Sequence, residues 1–162
     1  MRPQTSHPSE IEELADWSEW LPFTIANVAT VPRLPGVYLF RRSTTGPSVG
    51  AEDIAYVGRA AERRGKGVQE RLRIYVTGRA PHSGLGNLAL ERALADLAWL
   101  GARLERVEAG DRMTVQDWAR DAVAWASLEF SYATVSDGPA SAALESATIA
   151  ALHDHNLWNR RR

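Results

Sequence analysis

Two short alternating segments constrain this chain most: GVYLFRR at 36–42 and DIAYVG at 53–58. A period of two places side chains on opposite faces of a strand. In the first segment Val37 and Leu39 share one face and Tyr38 and Phe40 the other; in the second, Ile54 shares a face with Tyr56. The intervening STTGPSVGAE, residues 43–52, is rich in turn formers and predicts an antiparallel hairpin with an unusually long connection. A lone hairpin is marginal in water, so these strands need a third strand and covering helices.

The rest of the chain offers both. Ser9 to Trp20 reads as an amphipathic helix, opened by the capping box Ser9-x-x-Glu12, with Ile11, Leu14, Trp17 and Leu21 at helical spacing. Pro22, Pro32 and Pro35 then interrupt the chain, so residues 1–31 read as an arm laid on a domain spanning 32–162. After Gly58 a helix is predicted over 68–77, with Val68, Leu72 and Val76 facing inward and Arg71 and Tyr75 together on one flank. PHSGLGN is a loop carrying the lone His82. LALERALADLAWLGARLERV predicts one long helix and TVQDWARDAVAWAS another, opened by Thr114-x-x-Asp117. LEFSYATV at 128–135 suits a third strand, and GPASAALESATIAALHDHNLW a last helix. The expected fold is α+β: a small, mainly antiparallel three-stranded sheet flanked by helices, with an extra N-terminal helix and helical insertions.

A length of 162 residues with 44% hydrophobic residues is enough for one domain with its own core. The absence of cysteine excludes disulfides, thiolate metal ligands and a cysteine nucleophile. With no apolar leader and no membrane-length apolar run, a cytoplasmic protein without a membrane partner is the expectation. The net charge of −1 hides an uneven distribution. Residues 59–79 carry Arg59, Arg63, Arg64, Lys66, Arg71, Arg73 and Arg79 against Glu62 and Glu70, a local +5 on a body of −6. Such a segment either steers a polyanion or is a solvated helix face.

One acid breaks its pattern. Glu145 falls within the apolar stripe of Leu144, Thr148, Ile149 and Leu152. An inward carboxylate must be ion-paired, protonated or metal-bound, unless it reaches water at the edge of the stripe. His153 and His155, two apart, do not share the helix face that a zinc pair uses and read as exposed. The six tryptophans sit mostly at core spacing and read as packing. No phosphate-binding glycine loop, dinucleotide fingerprint, nucleophile elbow or H-E-x-x-H motif is present.

PGVYLF, YVGRA and ERLRIY, followed downstream by a helical Glu145 and by LWNRR, resemble the GIY-YIG nuclease family. That family includes the nuclease domain of the bacterial excision-repair incision enzyme, some homing endonucleases and some restriction enzymes. The resemblance covers about 35–160 in the expected order. It implies that Tyr38 matches the tyrosine of the first element and Tyr56 that of the second. Gly58 matches the glycine that admits the substrate, beside Arg59 at an often basic position. Arg71 matches the family's helical arginine, Tyr75 the aromatic or histidine one turn on, Glu145 the metal-binding glutamate, and Asn159 (or Asn156) the closing asparagine.

The implied activity is metal-dependent endonucleolytic hydrolysis of DNA, with Mg²⁺ or Mn²⁺ on Glu145. In that picture Tyr38, its pKa lowered by Arg71 and the metal, helps deprotonate a water, Tyr56 assists and positions, and Arg71 binds the phosphate. Gly58, Arg59, Arg63, Arg64, Lys66, Arg73 and Asn159 would contact the DNA, the basic ERRGKG acting as a backbone-phosphate clamp. The chain departs from the family's shortest members in the longer Tyr38–Tyr56 and Tyr56–Arg71 intervals and in the helices of 79–143, which match no family motif. Two alternatives stand beside the nuclease: a nucleic-acid-binding module of the same fold without cleavage, and an interaction domain in which the tyrosines pack and Glu145 pairs with Arg71.

Overall fold

The computed structural model describes residues 7–43, 54–61, 67–77, 79 and 84–159. In chain order its elements are α1 (Ser9–Glu12), β1 (Leu21–Pro22), α2 (Ile25–Ala29), β2 (Gly36–Arg42), β3 (Ile54–Ala60), α3 (Gly67–Val76), α4 (Leu85–Ala93), α5 (Leu97–Glu108), α6 (Val115–Trp125), β4 (Leu128–Thr134) and α7 (Gly138–Ala151). The chain is thus α+β with an antiparallel sheet, but the sheet has four strands, in the order β1-β4-β2-β3, rather than the expected three. The extra strand is two residues long and contains Pro22. It is too short to show alternation, and it lies at the sheet edge, where a proline costs no ladder bond. None of the helices among the described residues is long and apolar enough to cross a membrane.

The N-terminal segment departs most from expectation. Its helix stops after Glu12, and Ser9 lies inside it behind an N-cap Pro8 that makes no side-chain cap. The sheet takes over where helical propensity fails. The Ser18 N–H donates to the Tyr132 carbonyl at 2.8 Å, the Tyr132 N–H to Ser18 Oγ at 3.0 Å, and the Ser131 hydroxyl to the Ser18 carbonyl at 2.8 Å. Bonds that satisfy β4's edge outweigh a few more turns of weak helix.

The hairpin forms as predicted, with Tyr38 opposite Gly58 and Phe40 opposite Tyr56, but the register then slips so that Arg41 faces Ile54. This bulge leaves Ala55 as an extra residue and turns Ile54 to the other face. Ile54 therefore packs with Val37, Leu39 and Val57, not with Tyr56. One face of the sheet carries Tyr38, Phe40, Tyr56 and Phe130 against Val68, Leu72 and Tyr75 of α3 and Leu85 and Leu88 of α4. The opposite face meets Ile11, Trp20 and the α7 side chains Leu144, Ile149 and Leu152.

The long helix predicted over 88–107 is two helices, and the first begins earlier, at Leu85, within the predicted loop. Asp96 breaks the run by accepting from the Ala98 and Trp99 N–H groups at 2.9 and 3.2 Å, and so caps α5. The Thr114–Asp117 capping box forms at α6. Trp99, Ala89, Ala93, Ala122 and Val123 give these helices a small core of their own. The last helix ends at Ala151, short of the predicted LHDHNLW.

That remainder runs beside β3 instead. The Ile54 N–H reaches His155 Nδ1 at 3.3 Å, the Trp158 N–H donates to the Ala55 carbonyl at 2.6 Å, and both ends of the Asn159 amide clasp Val57 at 2.9 and 2.7 Å. The edge of the sheet is thereby covered. His155 is half-buried and not the exposed histidine expected, whereas His153 is exposed and pairs only with neighbouring Asp154. Asn159→Ala removes two hydrogen bonds and strips the edge at Val57, with an expected cost of about 1–3 kcal/mol. Urea unfolding of the variant measures it.

Candidate active site at the edge of the sheet

β3 is an edge strand, and a cleft of about 1510 Å³ wraps over it. Alternation along β3 sends Tyr56 and Gly58 toward α3 and sends Val57 and Arg59 toward α7. Tyr38, Tyr56, Gly58, Arg59, Arg71, Glu145, Asn156 and Asn159 all border the cleft. Seven of the residues singled out in the sequence, and the alternative asparagine, therefore come together from four parts of the chain. Arg73 is exposed on α3 and does not border the cleft. Arg63, Arg64, Lys66, His82 and nearly all of the 43–52 loop lie outside the described residues.

On the α3 side three phenols meet. Tyr38 and Tyr75 hydroxyls are 3.1 Å apart and buried, and the Tyr38 and Tyr56 rings stack with centroids 6.4 Å apart. The Tyr56 and Tyr75 hydroxyls both face Gly84, and the Arg71 guanidinium lies 5.9 Å from the Tyr75 ring centroid. Either hydroxyl of the Tyr38–Tyr75 pair can be the donor, since a phenol both donates and accepts, whereas the Arg71 guanidinium only donates.

The surroundings of Tyr38 and Tyr56 oppose their ionisation. Burial above all, then Tyr75 and Tyr56, pushes the Tyr38 hydroxyl far above its usual range, with only Arg71 opposing. Burial followed by Tyr75 likewise raises Tyr56, Arg71 opposing and Glu145 adding to the rise. The expectation of a lowered Tyr38 pKa is corrected: desolvation of a phenolate outweighs one partly exposed guanidinium. Burial would lower Arg71, but the phenols Tyr75, Tyr38 and Tyr56 hold it above its ordinary value.

A raised pKa in the folded state gives stability that is complete below the unfolded value of about 10 and is lost as pH climbs beyond it. Urea midpoints are therefore expected to fall above about pH 10, and less steeply in Tyr56→Phe. An equal fall in that variant would remove Tyr56 as the cause.

Glycines make the cluster possible at two points. A Cβ at Gly58 would overlap the Tyr38 ring. Gly84, at φ +54°, would place a Cβ 2.5 Å from the Tyr75 hydroxyl and 2.9 Å from that of Tyr56. Sequence reasoning passed over Gly84 as loop; the glycine in PHSGLG was its only signal. Gly84→Ala is expected to cost about 1–3 kcal/mol in backbone strain, before any displacement of the two hydroxyls. Its thermal midpoint against wild type provides the check.

On the α7 side, Glu145 Oε2 accepts from Arg59 Nε at 3.0 Å, the side chains being 26% and 42% exposed. Glu145 thus has an arginine partner, Arg59 rather than Arg71. An ion pair this wet contributes less than about 1 kcal/mol, so a competing cation displaces Arg59 at little cost. Among the described residues no three His, Cys, Asp or Glu side chains converge. Glu145 and Glu70 border this open, wet cleft, and so sparse a carboxylate set suits Mg²⁺, which keeps most of its waters and takes one or two carboxylates plus a substrate phosphate. It does not suit zinc, which needs three or four protein ligands.

Asn159 borders the cleft, but its amide is engaged on both sides by Val57, so it holds β3 in place rather than reaching for substrate. Asn156 is exposed and also borders the cleft. Comparison with models of known families, with characterised proteins and with solved structures gave no match.

Proposed function

We propose that the protein is a metal-dependent endonuclease that hydrolyses phosphodiester bonds in DNA, with the working parts of a GIY-YIG nuclease. The observation that carries the reading is convergence: Tyr38, Tyr56, Arg71 and Glu145, spread over 108 positions of sequence, border one cleft at one sheet edge. Arg71 binds the scissile phosphate as a donor fork, and the Tyr56 O–H adds a neutral donor beside it. Gly58 makes room for the Tyr38 ring against β3, and so for the tyrosine pair beside the phosphate. Tyr38 and Tyr75 act through Tyr56, packing beside it and holding it at the cleft. A hard divalent cation, Mg²⁺ or Mn²⁺, held by Glu145 supplies charge stabilisation at the phosphate and the leaving oxygen. Arg59, released when Glu145 takes the cation, becomes a further phosphate contact.

Supercoiled plasmid incubated with the protein in Mg²⁺ or in chelator tests the reading. Nicked circles in Mg²⁺ alone are expected, because one such site cuts one strand at a time. Equal nicking in chelator contradicts it. A second reading, a binding module that does not cleave, draws support from the Arg59–Glu145 pair, which leaves the carboxylate already neutralised. DNA retained in a gel shift without any nicking selects it.

A further inference from the structure

We infer that Arg42 and Arg92 form a second phosphate site, beside the cleft, for the backbone of the same nucleic-acid strand; this rests on the proposed function. Arg42, the last residue of β2, lies 4.8 Å from the Trp125 ring centroid and 5.9 Å from that of Trp158. Arg92, in the last turn of α4, lies 4.6 Å from the same Trp158 ring. Two guanidiniums therefore share one indole. Among the described residues neither forms a salt bridge. The Arg42 Nε is buried without a hydrogen-bond partner, and Arg92 gives one N–H to the Leu88 carbonyl at 3.1 Å. Asp96, which takes the Trp125 indole N–H at 3.0 Å, is engaged in capping α5. Glu91 eases the charge of Arg92 and Arg42 opposes it.

Like charges gathered near one ring repel, and an oxyanion beside the two guanidiniums offsets that repulsion. Location selects the phosphate of a bound strand. Leu88 borders the cleft, and Arg92 sits one turn beyond it, about 6 Å along the helix axis. Trp158 lies between Leu157 and Asn159, which also border the cleft. A strand with one phosphate at Arg71 would thus pass Arg92 within a few nucleotides. Contact through guanidiniums is to the phosphate backbone and carries no sequence preference.

The test is binding in chelator, where cleavage does not intervene, of a labelled duplex and a labelled single strand at several salt concentrations. Arg42→Gln/Arg92→Gln is expected to lower the slope of log K against log[salt] by about 1.4–1.8, the release of two contacts. Arg42→Lys/Arg92→Lys keeps the charges and is expected to restore most of the slope, which separates phosphate binding from loss of the stack. In parallel, inorganic pyrophosphate is titrated while tryptophan emission is followed, a readout independent of nuclease activity. A change in wild type that the Gln variant lacks supports the site even if no nucleic acid binds, in which case the nuclease reading falls alone. DNA binding with an undiminished slope in a folded Gln variant overturns the site and leaves the nuclease reading standing. The absence of both pyrophosphate response and nucleic-acid binding overturns both.

Discussion

Glu145→Gln is expected to lower metal-dependent nicking by at least about 10²-fold while tightening DNA binding in chelator. The first effect follows from losing the carboxylate that the proposed function assigns to the cation, and electrostatic stabilisation of a phosphoryl transition state is the largest share of such catalysis. The second follows from Arg59. Its partner is gone, so a guanidinium 42% exposed at the cleft wall is left to the phosphate backbone, and the repulsion between Glu145 and DNA disappears with it. A merely structural role for Glu145 gives neither effect, because a wet ion pair holds the fold by less than about 1 kcal/mol. Opposite movement of binding and cleavage is the signature, read by gel shift and plasmid nicking on one preparation.

Arg71→Ala is expected to reduce nicking by about 10²–10³-fold, the usual cost of removing one preorganised donor from a developing negative charge. It also removes the positive charge that opposes the rise in the Tyr38 pKa. Arg71→Lys restores charge but not the fork, and is expected to recover binding more than turnover. Single-turnover rates at saturating protein separate these contributions. Equal nicking by Arg71→Ala and wild type would move the phosphate site elsewhere.

Legibility in the sequence followed the range of the interactions involved. Local rules sufficed for the Thr114–Asp117 box, for the strands 36–42, 54–60 and 128–134, and for the amphipathic α3, because alternation, helical period and capping are set within a few residues. Ser9 offered the same local box and failed, since its segment found better bonds along β4 at Ser18. The continuous apolar period from Leu88 to Val107 concealed the break at Asp96, where one side chain's bonds to two N–H groups outvote the pattern. A bulge at Ala55 has no compositional mark, so Ile54 was assigned the wrong face.

The site follows the same division. Residue types at Tyr38, Tyr56, Arg71 and Glu145 could be picked out one by one. The partner of Glu145 required knowing that Arg59 and α7 share a face, and the role of Asn159 required knowing that β3 is an edge. The ionisation of Tyr38 depends on burial by α3, which no neighbour in sequence announces.

The central claim is that the Glu145 side of the cleft holds a cation and the Arg71 side a phosphate, and that together they cut DNA. Plasmid nicking in Mg²⁺ by wild type beside Glu145→Gln tests it most directly. The account predicts nicked circles with wild type, almost none with the variant, and none with either in chelator. Nicking by Glu145→Gln at the wild-type rate would contradict it.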